Sequence, residues 1–312
     1  MGLQGSFPVT LQLERQPETD AAPARQEANR SRIRGNIAGW LGAAPLLVFL
    51  AVFLIIPIAA NIVTSFIVDG KFSFASMAQL LEPQYLDAFI QTINLSLLTA
   101  GVGGAFGFVL AWALATGSKP TWLQNLVLSF SAVASQMGGV ALAFAFIATL
   151  GVQGLATKFI VAMTGWDLSE DIQLASFWGL GLVYLYFQIP LMAILLLPAF
   201  GSLKAQWPEA AYSLGATRGR YLKDIAFPIM WPPLVGALLL LFANSFGAYA
   251  TAYALAGGRV NLVPILIGFF ISGDVMSDES FAAALVTGMI IIVVTAMGLR
   301  TLLERRTNKW LR

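Results

Sequence analysis

"EAAYSLGATRGRYLKDIAFP", Glu209 to Pro228, places Glu209, Arg218, Arg220, Lys223 and Asp224 between two long apolar runs. Gly215 sits inside the stretch and Pro228 ends it. Any fold built around this piece must hold it in water while keeping both flanks out of water. That requirement decides the class of the molecule.

The wider composition agrees. Of 312 residues, 58% are hydrophobic and only 11% are charged. A soluble domain carries about 25% charged residues, so the solvent for most of this chain is a bilayer. There is no cysteine, which excludes disulfides, thiolate chemistry and cysteine-held metals. There is no histidine either, which removes the commonest general base and metal ligand. No catalytic residue and no metal site are expected. Residues 1–34 differ from the rest: "ERQPETDAAPARQEANRSRIR" is polar and mixed in charge. Without an apolar run before Gly39 it is not a secretory signal, and it reads as a disordered polar tail.

Six segments are long and apolar enough to cross about 30 Å of hydrocarbon, which takes about 20 helical residues. They are Trp40–Ile67, Thr92–Ala115, Leu123–Leu150, Leu174–Pro198, Ile229–Ala254 and Phe281–Leu303. None contains Asp, Glu or Lys, and Arg300 lies only at the end of the last. Pro45, Pro57 and Pro190 fall inside spans, where neighbouring helices tolerate them. A further run, Leu262–Ser272, is too short to span and reads as an interfacial or re-entrant piece. The expected fold is therefore all-α and integral to the membrane. Residues 35–67 hold the first transmembrane helix, 88–306 a five-span core containing the 201–228 loop, and 307–312 a basic tail.

Charge placement orients these spans. With the N-terminus inside, 15 of the 18 Lys and Arg fall on the cytoplasmic side, and only Lys71, Lys158 and Arg259 fall outside. Nine acids, among them Asp69, Glu82, Asp87, Glu170, Asp171 and Asp274, also fall outside. The positive-inside rule thus predicts both termini in the cytoplasm. Counting 262–272 as a span would reverse the basic C-terminal tail, so the same rule rejects it.

The Glu209–Pro228 loop then lies in the cytoplasm between spans four and five. Pro208 suits a first helical position, and Glu209 beside it favours the positive end of the helix. Gly215 suits the turn after that helix, Thr217 can cap a second helix, and Pro228 breaks the chain into the fifth span. The expected product is an angular two-helix knob with a small, alanine-rich front. A solvated loop whose positive charges merely hold topology remains the plainer reading.

The spacing carries more than charge. Glu209-Ala210-Ala211, Gly215 four residues later, then Ile225, Phe227 and Pro228 resemble the signature of inner-membrane permease subunits of ABC importers that work with a solute-binding protein. That signature is Glu-Ala-Ala, Gly, and Ile-x-Leu-Pro, and Phe227 replaces the usual Leu here. The run "ALAGGRVNLVPILI" after span five is also similar to the family. The resemblance, which covers about residues 88–306, implies a type I importer subunit in a bacterial inner (cytoplasmic) membrane. It implies that the loop is a coupling helix docked on a dimer of ATP-binding cassette ATPases, which would bind ATP and Mg. It implies a second permease subunit, sister chain or copy, and an external solute-binding protein, with no nucleic acid involved. This chain has no phosphate-binding loop of its own: Gly117-Ser118-Lys119-Pro120 and Gly70-Lys71-Phe72 both fail the pattern.

Other classes fit less well. A secondary transporter keeps ionisable groups at bilayer depth, and an intramembrane hydrolase needs a nucleophile–base pair, paired acids or a metal; the spans supply neither. A channel or scaffold not coupled to ATP leaves the loop pattern unexplained. Polar groups in the spans are few: Asn61, Asn94, Gln136, Gln188, Asn244, Ser245, Tyr249 and Tyr253. Gln136, Asn244 and Tyr249 are the candidate pathway-lining residues, because the resemblance implies that spans three and five line the path. An interhelical hydrogen bond is the alternative role for each. The substrate is expected to be polyamine-like, since the chain is similar to the spermidine/putrescine permease group. Iron, thiamine, phosphonate and sulfate importers share that look.

Overall fold

The computed structural model describes residues 43–116, 120–167, 169, 172–204, 206–272 and 278–308. The polar tail 1–34 lies outside the described residues, as do Lys119, Glu170, Asp171, Asp274 and positions 309–312. The chain divides into two compact units, Met1–Ala60 and Asn61–Arg312. Taken by itself, the first described helix, α1 (Ala43–Thr64), is apolar except for Asn61 and Thr64 and buries none of its residues. It widens into a single π turn at Ala51–Ile55, where the Ile56 N–H reaches back to the Ala51 carbonyl. Pro57 follows two residues later and has no N–H to offer, and the wider turn lets the helix continue past its ring.

In the second unit the end of α1 leads into a two-residue hairpin, β1 (Ile67–Val68) against β2 (Lys71–Phe72). Its turn residues Asp69 and Gly70 both take positive φ, 51° and 73°, as a type I′ turn requires. This ribbon is the one departure from an all-helical chain among the described residues. The helices that follow are α2 (Ala75–Gln79), α3 (Pro83–Thr116), α4 (Thr121–Gln136), α5 (Gly139–Leu150) and α6 (Leu155–Thr164). After them come α7 (Phe177–Gly201), α8 (Gln206–Ser213) and α9 (Arg218–Phe246). Last are α10 (Tyr249–Ala256), α11 (Val263–Ser272) and α12 (Glu279–Asn308).

Among the described residues, six stretches are long and apolar enough to cross a membrane: α1, α3, Gly139–Thr164, α7, α9 and the Glu279–Gly298 part of α12. The six-span, all-α membrane class therefore stands, and the ten-residue α11 is too short to cross. Three expectations about individual elements need correction. The continuous third span Leu123–Leu150 is broken at Met137–Gly138, between α4 and α5. The fifth span, expected to run unbroken through Ala254, stops at Phe246 and restarts at Tyr249. Pro228 does not break the chain. The helix from Arg218 to Phe246 runs through it by a π turn at Leu222–Ala226, with the Phe227 N–H bonded to the Leu222 carbonyl. A π turn two residues ahead of a proline is thus used twice, before Pro57 and before Pro228.

The core of the second unit forms where α3, α7, α9 and α12 meet around Met192, Leu196, Leu241, Phe246, Phe281 and Leu285, all fully buried. In lipid, apolar side chains gain little by leaving the solvent, so close backbone approach and hydrogen bonds hold such helices together. Gly103, Gly104 and Gly107 of α3 provide the approach: a Cβ on Gly103 would lie 2.7 Å from Gln188 Cβ, and one on Gly107 would strike Met192 and the Ile189 carbonyl. Buried bonds cross between helices as well. Thr99 and Ser245 hydroxyls lie 2.9 Å apart, the Gln188 side-chain amide donates to the Leu241 carbonyl (2.9 Å), and the Val263 N–H donates to Thr92 Oγ1 (3.0 Å).

Candidate functional site

Two places hold the residues singled out from the sequence: the knob made by α8 and the start of α9, and a cavity where two helix breaks meet.

The knob is a defined corner. α8 carries Glu209 in its first turn, exposed, with Pro208 as the third residue rather than the first. After α8 the chain closes with two bonds, Ala216 N–H to the Ala211 carbonyl and Gly215 N–H to the Tyr212 carbonyl, both 2.9 Å. That 6→1 and 5→2 pair is a Schellman motif, whose pivot residue is left-handed, and Gly215 has φ +80°. Thr217 then caps α9 by accepting the Arg220 N–H at 3.3 Å. A small core holds the two arms together: Ala211, Tyr221 and Ala226 are buried, with Trp207, Ala216 and Ile225 packed against them. The motif residues therefore divide. Ala211 and Ile225 face inward and shape the knob, whereas Glu209, Ala210, Gly215, Phe227 and Pro228 are exposed. At the corner Leu214 is 88% exposed beside Tyr212.

The cavity lies elsewhere in the same unit. It measures about 430 Å³ and is lined by Ser135, Gln136, Gly138 and Gly139 from the first break and by Asn244, Gly247, Ala248, Tyr249 and Thr251 from the second. The three residues singled out from sequence, Gln136, Asn244 and Tyr249, thus line a single space. Gln188 and Ser245, of similar chemistry, point into helix contacts instead. Among the described residues, no charged side chain lines the cavity. Both α5 and α10 begin at its wall, and neither is capped by the side chain of its own N-cap residue, Gly138 or Ala248.

The two breaks are tied to each other. The Gly139 N–H donates to Thr251 Oγ1 at 2.7 Å, and the same hydroxyl donates back to the Gly139 carbonyl at 3.3 Å. Gly139 takes φ +76° to make this turn, a conformation that most side chains resist. Tyr184, buried on α7, donates its hydroxyl to the Ala248 carbonyl at 2.8 Å, in the second break. Thr251 and Tyr184 were missed in the sequence, where one is a threonine among alanines and the other a tyrosine in a span. The Gly138-Gly139 pair was the available signal for the first break. Tyr184→Phe leaves the Ala248 carbonyl without this donor, an expected loss of about 1–3 kcal/mol. The solubilised protein should melt at a lower temperature, whereas Tyr186→Phe, whose hydroxyl reaches only Met137 Sδ at 4.0 Å, should not change it. Equal melting of both variants would remove Tyr184 from this role.

Comparison with known proteins bears on the family and the fold. The family described as "Binding-protein-dependent transport system inner membrane component" matches residues 103–309. The spermidine/putrescine transport system permease protein PotB of Salmonella typhimurium (strain LT2) is 26% identical over 284 residues, covering 88% of this chain and 92% of that protein. The sulfate transport system permease protein CysT of the same organism is 26% identical over 218 residues, covering 68% and 72%. Among solved structures, that of a bacterial ABC transporter involved in the import of the acidic polysaccharide alginate matches with a TM-score of 0.69. At 16% identity it covers 88% of this chain and 98% of its counterpart, and so shares the fold. The chain belongs to the inner membrane components of binding-protein-dependent transport systems and is a multi-pass permease subunit of an ABC importer.

Proposed function

We propose that this subunit forms half of a solute pathway at the Gln136–Asn244–Tyr249 cavity and is driven from the Glu209–Pro228 knob by a separate ATPase dimer. The knob faces the cytoplasm with both termini, in keeping with the split of 15 Lys and Arg against 3. A second permease subunit completes the pathway, and a solute-binding protein delivers to the opposite side. ATP and Mg belong to the ATPase.

One observation carries the reading: the knob and the cavity wall are the two ends of one helix. α9 begins at the Thr217 cap and ends at Asn244–Phe246 beside the cavity. Its 29 residues make a rod about 43 Å long at 1.5 Å per residue. Displacement of the knob by closing ATPases is passed along that rod to the break at Gly247. Had Pro228 broken the chain, the knob would have swung without moving the cavity.

The solute is proposed to be polyamine-like. The cavity offers side-chain amides, hydroxyls and the Tyr249 ring, which is stacked on Tyr253 with centroids 5.4 Å apart; aromatic faces attract cations. PotB-like relatives also align over more of the chain than CysT-like ones. A second reading, a small oxyanion such as sulfate, is favoured by the two helix starts at the cavity, those of α5 and α10, whose positive ends attract anions. The deciding experiment purifies the tagged chain from its host in mild detergent. Co-purification of an ATPase and a second permease is expected, and uptake of labelled spermidine and sulfate by the reconstituted complex then separates the two solutes. A chain recovered alone, or as a homo-oligomer without ATPase, would overturn the coupling role.

A further inference from the structure

Behind Tyr249 lies a second cavity of about 400 Å³, lined by Gly247, Tyr249, Pro264, Ile267, Gly268, Ile271, Ser272 and Met289. Tyr249 and Gly247 line both spaces, so the tyrosine ring stands between a front cavity with amide walls and a mainly apolar rear one. The ring rests on α11 at a point where the chain has no side chain. A Cβ on Gly268 would lie 2.6 Å from Tyr249 Cε2 and from its hydroxyl oxygen, and 2.7 Å from Cζ. No real methyl group tolerates such distances. The φ of Gly268 is not among the positive glycine values, so the backbone makes no demand for glycine here. Its only evident role is the space it leaves to the ring.

We propose that Gly268 is a positioning residue: by leaving room for the Tyr249 ring it holds the partition between the two cavities back against α11 and so keeps the front cavity wide. A methyl group on α11 pushes the ring away from that helix. α11 contributes nothing to the lining of the front cavity, so the displaced ring moves into it. The colliding atoms are the far end of a side chain that can turn, so the fold survives the substitution while the cavity narrows. The consequence for transport rests on the pathway reading above; the placement of the ring does not.

The test uses the absence of cysteine from the chain. In the assembled complex, Asn244→Cys reports on the front cavity and Met289→Cys on the rear, each read as the rate of reaction with a small maleimide. Gly268→Ala is expected to slow labelling at position 244 at least threefold and to leave position 289 equal or faster. In a Tyr249→Ala background the same Gly268→Ala change should have no effect, because the clash is gone. A slowing that persists without the tyrosine, or unchanged labelling in all backgrounds, overturns the proposal. Uptake of whichever of spermidine or sulfate the wild-type complex carries is measured in parallel. The half-saturating concentration should rise several-fold in Gly268→Ala with a smaller change in maximal rate, and Tyr249→Ala should suppress the difference. If labelling shifts as expected and uptake does not, the ring is placed by Gly268 but the cavity is not the pathway.

Discussion

Exchange of Gly215 for valine is expected to abolish ATP-driven uptake while the chain still inserts into the membrane at near-wild-type levels. The reason lies in the backbone alone. Gly215 sits at φ +80°, and a Cβ built there would meet nothing within 4 Å. No packing is lost or clash created, yet an L residue in this region costs roughly 1–2 kcal/mol, and a β-branched one is a genuine outlier. The Schellman closure from Ala216 to Ala211 depends on that conformation, so α8 loses its fixed angle to α9. On the coupling role proposed for the knob, the exposed Leu214 and Glu209 would then no longer be presented to the ATPase as one shape. Asn tolerates the left-handed region best among the alternatives, so activity should fall in the order Gly, Asn, Ala, Val. Glu209→Lys should also abolish uptake, by placing a cation at the positive end of α8. Uptake in membrane vesicles, with ATPase recovery on the tagged chain, provides the readout. Normal uptake in Gly215→Val would show that this corner does not couple.

The knob was legible in the sequence because its chemistry is local. A helix start, a left-handed glycine and a threonine cap all act within a few residues, and the charges around them stand out against apolar flanks. The cavity was legible only in part. Gln136, Asn244 and Tyr249 were marked by polarity and by the resemblance that singles out spans three and five; polarity is a mark also borne by Gln188, whose amide instead joins α7 to Leu241. Polarity says that a side chain needs a partner, and only the packing says whether that partner is a carbonyl or an open space. The breaks at Met137–Gly138 and Gly247–Ala248 were hidden because neither carries a proline or a charge, and the few polar residues beside them, Ser135-Gln136 and Asn244-Ser245, do not end the apolar runs. What stabilises the first break is a hydroxyl 112 residues away, beyond the reach of any local pattern. Pro228 misled for a related reason. Proline removes one hydrogen bond, but a π turn moves the ladder by one residue and lets the helix pass.

That distant hydroxyl carries the second large effect. Thr251→Val keeps the volume and branching of the side chain but removes both bonds to Gly139. The Gly139 N–H and carbonyl are then left without this partner in a half-buried site, at about 1–3 kcal/mol for each unsatisfied group. Gly139 sits at φ +76°, one of several regions open to glycine, so without the tether nothing in its own backbone fixes the turn. The start of α5 should therefore drift from α10, and Gln136 from Tyr249, so the cavity loses its shape without losing any of its lining groups. Uptake is expected to fall at least tenfold, with recovery of the assembled complex little changed, because the core around Leu241, Phe281 and Leu285 is untouched. Thr251→Ser, which restores the hydroxyl, should return most of the activity, whereas Thr251→Ala should behave like valine. If serine and valine transport equally well, the tie between the two breaks is incidental. The cavity would then have to be shaped by the Tyr184 bond to Ala248 alone.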